Sequence, residues 1–224
     1  MLDTVTAAIK EIAAGRPVLV IDNEDRENEG DLVAAGSLMT PVLMAFLIRH
    51  SGGVVCAAME GPDLDRLHLP PMVSLNVSPN EDPNAPAFTV SVDAADGTSG
   101  ISAASRANTL RLLADPATGH RQLQRPGHVF PLRESEGGLA ARQGHTEAGL
   151  ELVRLAGLPP VAALTEVLNP DGTLARLPQL RVFADEHDLL LISVEQLMEH
   201  RGIRAGGVAG GVAGGVAGDV PAGV

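Results

Sequence analysis

Apolar side chains along this chain come in short blocks whose period alternates between that of a helix and that of a strand. Val5, Ile9 and Ile12 follow an i, i+4, i+7 spacing that predicts a helix over 4–14, stopped by Gly15 and Pro17. Residues 17–22 (PVLVID) are a continuous apolar run that reads as a buried strand, and 22–31 (DNEDRENEGD) as a polar loop. Thr40-Pro41 is an N-cap and N1 pair for a helix reaching about Ile48, and 53–59 reads as a strand. Residues 60–86, rich in Pro and Asp, carry no period, whereas 87–93 (AFTVSVD) alternates as a strand does. Ser102 caps a predicted helix in which Ala103, Ala107 and Leu110 share a face, ending near Asp115-Pro116. A further helix over 146–156 aligns Ala148, Leu152 and Leu155, and Gly157 with Pro159-Pro160 ends it. A strand over 161–168 runs into an Asn169-Pro-Asp-Gly turn. A helix over 178–187, a strand over 189–192 and a short helix capped by Ser193 with Gln196 complete the series.

Strands and helices mixed without a strict βαβ period predict an α+β fold of the α/β three-layer type, a mixed sheet covered by helices. One compact domain is expected over 1–201. From Gly202 the pattern fails: AGGV repeats at 205–208, 209–212 and 213–216, and nine of the 25 glycines lie in 202–224. That Gly/Ala/Val-rich segment is expected to be a disordered tail, since ordering it loses much backbone entropy and buries little.

Composition narrows the chemistry. A net charge of −12 argues against a nucleic-acid partner, and the absence of Trp and Tyr removes the usual stacking platforms. Lys10 is the sole lysine against fifteen arginines, so Schiff-base chemistry is not expected and carbonyl chemistry would lean on a metal ion. No GxxxxGK occurs. The single Cys56 suggests a reducing, cytoplasmic setting and reads as a small core residue. The first residues lack a basic region and do not read as a signal peptide. The uncharged stretch 32–48 is interrupted by Gly36, Ser37, Thr40 and Pro41 and falls short of a span, so no membrane partner is expected.

Four segments can carry chemistry. In 22–31 six of ten residues are acidic, directly after an apolar strand. Such a run is a solvated loop or, because its carboxylates repel one another, a site for a hard cation or for substrate. Arg142-Gln-Gly-His145-Thr146 opens a helix. It can cradle a small phosphate with free helix N–H groups, the Arg142 fork and the Thr146 hydroxyl, or it is an ordinary start with Thr146 as N-cap. His128 in Arg125-Pro-Gly-His-Val-Phe-Pro131 is either a held acid–base group or a structural turn histidine. Glu166 within VAALTEVL either faces a site, where burial would suit a proton shuttle, or lies on an open sheet face.

These motifs, in order, resemble the 3,4-dihydroxy-2-butanone 4-phosphate synthase family of riboflavin biosynthesis: DNEDRENEGDLV, FTVSVDA, GTSGISA, RPGHVFPLR, GHTEAGLEL and TEVLNPDGTLARLP. The likeness spans nearly all of 1–201. It implies a homodimeric lyase that uses Mg²⁺ (or Mn²⁺) to convert ribulose 5-phosphate to 3,4-dihydroxy-2-butanone 4-phosphate and formate. It implies Glu27 and His145 as metal ligands. Substrate would be bound by Arg26, Glu27, Asp31, Arg142, Gln143, Gly144, His145, Thr146 and Glu166. His128 and Glu166 would be essential for catalysis. On the chemistry, which needs several acids and bases, a carboxylate of the 24–31 loop, Asp31 or Glu29, is expected to start enolisation, with His128 and Glu166 relaying later protons. A flexible acidic loop closing over the sugar is expected. The sequence departs from the family at Ser105, where an aspartate is usual before Arg106, at Ser99 for threonine and at Thr165 for cysteine. The alternatives are a non-catalytic sugar-phosphate-binding homologue, and a metal-dependent aldolase or isomerase acting on another sugar phosphate.

Overall fold

The computed structural model describes residues 1–72 and 85–203. Its elements are α1 (Val5–Ala13), β1 (Val18–Ile21), β2 (Gly30–Ala35), α2 (Pro41–Arg49), β3 (Val55–Met59), α3 (Gly61–Arg66), β4 (Val92–Ala94), α4 (Ala103–Ala114), β5 (Leu123–Arg133), α5 (His145–Leu155), β6 (Val161–Glu166), α6 (Leu177–His187), β7 (Leu191–Ser193) and α7 (Val194–His200). Local chemistry sets most boundaries. Thr4 Oγ1 accepts the Ala7 N–H at 3.3 Å, and Thr40 Oγ1 accepts the Leu43 N–H at 3.1 Å beside Pro41. The capping box of Ser193 and Gln196 forms as expected.

Seven strands make one mixed sheet in the order β4-β5-β3-β6-β2-β1-β7. The β1–β7 and β3–β5 pairs are parallel and the others antiparallel. On one side, Met44, Leu47, Leu110, Leu113 and Leu180 of α2, α4 and α6 pack against Leu19, Leu32 and Ala57. On the other, Ile12, Leu150, Leu152, Val153 and Leu197 of α1, α5 and α7 pack against Val18, Val20, Val33 and Leu164. The result is the expected three-layer α+β arrangement, and it explains why all four residues of β1 are buried. Truncating one such leucine to alanine costs about 2–5 kcal/mol. Helix α5 lies close on β6 because residue 149 is glycine: a Cβ there would stand 2.8 Å from Leu164 Cδ2 and 3.1 Å from Ala162 Cβ. That approach sets the height of the α5 N-terminus above the sheet.

Several elements differ from the periodicity reading. Helix α3 lies inside the stretch expected to be irregular; its six residues are too few to show a period. Of the alternating stretch 87–93 only Val92 and Asp93 lie in a strand, β4, while Thr89 and Phe88 make isolated bridges to Pro71 and Leu132. The RPGHVFP stretch, read as a turn, lies within β5, whose two prolines masked it. Asp31, read as loop, is in β2. The tail from 204 onward lies outside the described residues.

Candidate functional site

The sheet ladder aligns the acidic groups. In the β2–β6 pair Asp31 stands opposite Glu166 and Val33 opposite Leu164, and in β3–β6 Cys56 stands opposite Leu164. Alternation therefore puts Asp31, Glu166, Leu164 and Cys56 on the face that α5 covers. There they line a cavity of about 380 Å³ together with Arg26, Glu27, Glu29, Arg142, His145 and Thr146, with Val54, Phe88 and Leu132 as apolar wall. Three of the four sequence segments thus converge.

The acidic loop is pinned rather than loose. Buried Asp22 accepts the N–H groups of Glu29 (2.8 Å) and Glu27 (3.2 Å) and Arg26 Nη1 at 2.7 Å. Arg26 reaches Glu27 at 2.6 Å. Arg176 donates to the carbonyls of Glu27 (2.7 Å) and Asn28 from the α6 side. One carboxylate at the end of an apolar strand thus organises the turn, and Glu27, its side chain 37% exposed, is left at the cavity mouth.

Gly144, not Thr146, caps α5, and Thr146 is buried in the first turn. His145 Nε2 donates to the Val20 carbonyl at 3.1 Å, which turns the Nδ1 lone pair toward Asp31 Oδ1, 3.9 Å away. Arg142 bonds the wholly buried Glu147 at 2.8 Å, and the other Glu147 oxygen accepts the Ser135 N–H at 3.0 Å. A Cβ at Gly144 would collide with the Arg142 guanidinium.

Electrostatics single out Asp31. Burial, opposed by His145 and reinforced by the charges of Glu166, Glu27 and Asp22, pushes its carboxyl up to about 6. Burial, then Glu166, Glu27 and Asp31, also raises Glu29. Burial, with Asp31 and Glu166 nearby, pushes the Cys56 thiol up to about 12, so Cys56 serves as wall and not as nucleophile. Glu166, expected to shuttle protons if buried, is instead exposed at the strand end while still lining the cavity.

Ligand atoms of Asp22, Glu27 and His145 lie within 4.8 Å of one another. Two carboxylates and one imidazole suit a hard or borderline divalent ion. Next to them Asp31 Oδ1 is buried without a hydrogen-bond partner among the described residues. An unsatisfied buried anion beside a preformed oxygen and nitrogen donor set fits a bound cation.

Gln143 and Gly144 flank the cavity without lining it, and His128 stands apart from it. Its ring meets Asp93: Nδ1 is 2.7 Å from Asp93 Oδ2. The sequence reading missed Asp93 and Glu147 as site residues, and placed Asp22 in the acidic run without assigning it to the metal. An acidic residue ending a strand (Asp22, Asp93), or in the first turn after a candidate phosphate cradle (Glu147), was the available signal. Ser105, where the family usually has aspartate, bonds Ser102 Oγ at 2.8 Å and Thr98 Oγ1 at 3.2 Å. Among the described residues Arg106 hydrogen-bonds no carboxylate; it feels the charge of Asp93 and donates to the carbonyls of Gly53 (3.0 Å) and Ile101 (3.1 Å).

Known proteins resemble this chain in sequence and in fold. The 3,4-dihydroxy-2-butanone 4-phosphate synthase family model matches residues 6–200. The riboflavin biosynthesis protein RibBA of Salinispora arenicola is 52% identical over 199 residues, covering 88% of this chain and 46% of that protein. The monofunctional riboflavin biosynthesis protein RIBA 2, chloroplastic, of Arabidopsis thaliana is 51% identical over 199 residues, 88% of this chain and 41% of its own length. The chain thus spans under half the length of these two relatives. A crystal structure of 3,4-dihydroxy-2-butanone 4-phosphate synthase in complex with two magnesium ions superposes with a TM-score of 0.83 at 40% identity, covering 89% of this chain and 97% of that one. RibBX from A. baumannii, a two-domain synthase of the same name, gives 0.84 at 38% identity over 89% of this chain and 58% of its own. On these matches the chain belongs to the 3,4-dihydroxy-2-butanone 4-phosphate synthase family.

Proposed function

We propose that this chain converts D-ribulose 5-phosphate to L-3,4-dihydroxy-2-butanone 4-phosphate and formate, as a lyase supplying riboflavin biosynthesis. The observation that carries this reading is the meeting of Glu27 and His145 with Asp31, a carboxyl raised to about 6, in one cavity, with Asp22 within ligand distance behind them. Glu27 and His145, with Asp22 beside them, would hold Mg²⁺ or Mn²⁺, which when bound supplies Lewis-acid stabilisation of negative charge developing on the ketose oxygens.

The chain's own residues divide the remaining work. Arg142, braced by Glu147, Thr146 and the first N–H groups of α5 bind the phosphate. Arg26 and Glu27 orient the sugar hydroxyls. Asp31 takes the proton from the carbon next to the carbonyl; a carboxyl raised to about 6 is a stronger base than an ordinary one yet still ionised at pH 7. Glu166, opposite Asp31 in the ladder, moves later protons as water leaves and one carbon departs as formate, and His128, apart from this cavity within one chain, joins it from a second copy of the chain. The walls formed by Phe88, Leu132 and Leu164 exclude water.

A homodimer belongs to the same proposal. Ile101 and Val54 are each 51% exposed, and Arg106 joins their segments by bonding the carbonyls of Ile101 and Gly53. An apolar patch beside the cavity mouth supports burial against a second copy. No helix among the described residues is long and apolar enough to cross a membrane. The free Cys56 supports a cytoplasmic, reducing location.

Formate release from ribulose 5-phosphate, followed with formate dehydrogenase, tests the function. Formate is expected with Mg²⁺ or Mn²⁺ and none with a chelator. Binding without formate, or turnover to another product, would overturn it.

A further inference from the structure

Opposite the adjacent residues Val92 and Asp93 of β4, strand β5 carries Val129 and Gln124, so residues 125–128 are looped out of the ladder between them. Both ends of this bulge are anchored. Arg125 donates to the carbonyls of Leu67, His68 (3.1 Å), His120 (3.3 Å) and Leu123 (3.1 Å), and the Gly127 N–H donates to Ser91 Oγ at 3.1 Å. At the end of the bulge one carboxylate grips His128 twice. Asp93 Oδ1 accepts its backbone N–H at 2.8 Å, and Asp93 Oδ2 lies 2.7 Å from its Nδ1. The Asp93 side chain is 1% exposed. Two glycines make room for this packing: a Cβ at Gly100 would collide with the Asp93 carboxylate, and one at Gly127 with the Val92–Asp93 backbone.

We propose that Asp93 is a positioning residue that holds His128 in the Nδ1–H tautomer and presents Nε2 as the working nitrogen. The inference rests on the reading above that His128 moves protons in the reaction. The carboxylate has only acceptor sites, so the ring nitrogen facing it must carry the hydrogen. Nε2 then holds the lone pair; no hydrogen bond engages it among the described residues, and the imidazole is 40% exposed. A proton accepted at Nε2 makes an imidazolium whose charge Asp93 offsets through Nδ1–H. The same proton returns to the departing hydroxyl, which leaves as water, and His128 ends the cycle neutral.

Replacement by asparagine reads out this role. In Asp93→Asn the amide oxygen stays on the His128 backbone N–H, and the amide NH₂ then faces Nδ1 and forces the Nε2–H tautomer. Nitrogen-15 correlation spectra of histidine-labelled protein, at a pH where His128 is neutral, identify the tautomer without metal or substrate; the signal missing from His128→Ala assigns it. Wild-type protein is expected to show Nδ1–H, and Asp93→Asn to show Nε2–H with kcat down ~100-fold or more and KM little changed. Asp93→Asn combined with His128→Ala is expected to be no slower than His128→Ala alone. An Nε2–H tautomer in the wild-type protein overturns the proposal, and that measurement needs no variant to fold. An unchanged tautomer in Asp93→Asn, or a double variant slower than His128→Ala, overturns it as well. Full turnover by His128→Ala would instead sink the reading of His128 in the reaction, and the catalytic role of Asp93 with it.

Discussion

Glu147→Gln separates support of the phosphate cradle from the cradle itself. The Glu147 side chain is 0% exposed and that of Arg142 11%, and they meet at 2.8 Å. Glutamine keeps the shape, and its oxygen can still accept the Ser135 N–H. Its NH₂ then faces the Arg142 guanidinium, donor against donor, and the negative charge that Glu147 sets beside it is removed. Breaking a buried pair from one side costs about 3–5 kcal/mol. For a domain of this size that corresponds to a fall in Tm of roughly 6–20 °C. Because Arg142 also lines the cavity, KM for ribulose 5-phosphate is expected to rise more than kcat falls. Differential scanning calorimetry and formate kinetics read the two effects. A Tm within 2 °C of wild type (about 0.5–1 kcal/mol), or a KM unchanged with a lower kcat, would refute the assignment of Glu147 as the brace for Arg142.

Other outcomes follow from the same geometry. The folded Asp31 carboxyl, near 6, lies above its unfolded value near 3.9, so its contribution to stability is full below about pH 4 and is lost as pH rises through 6. In metal-free protein Asp31→Asn should therefore be more stable than wild type at pH 8, by up to about 3 kcal/mol, and should not turn over; thermal melts across pH 4–8 check the sign. Added Mg²⁺ should raise the Tm of wild-type protein and much less that of Glu27→Gln, since a cation bound only by the folded state stabilises it by mass action; melts over a metal titration measure this. Gly149→Val should destabilise by about 1–3 kcal/mol through collision with Leu164 and Ala162, measured by urea unfolding.

The ends of the apolar blocks were legible because capping chemistry is local: Thr4, Thr40, Ser102 and Ser193 each accept the N–H three residues on. Strand β5 was not, since prolines and a bulge hide its period, and what holds it is Asp93, 35 residues away in the chain. The acidic loop was visible as a charge run, but its order comes from buried Asp22 and from Arg176, 149 residues away in the chain, and neither role shows in the run itself. Glu166 and Asp31 exchanged expectations for a related reason. Both look like carboxylates at strand ends, yet only Asp31 lies beneath the N-terminus of α5, where water is excluded. Which of two neighbouring carboxyls is desolvated is a property of packing between distant segments, and periodicity does not contain it.

The central claim is that the 22–29 loop, the start of α5 and the paired ends of β2 and β6 form one site that grips a divalent cation and a ketose phosphate together. Anomalous diffraction from crystals soaked with Mn²⁺ and ribulose 5-phosphate tests it most directly. The account predicts an anomalous peak in contact with both Glu27 and His145, with the sugar beside Asp31 and its phosphate on Arg142 and Thr146. Manganese bound elsewhere on the protein, or a ketose held away from these side chains, would contradict it.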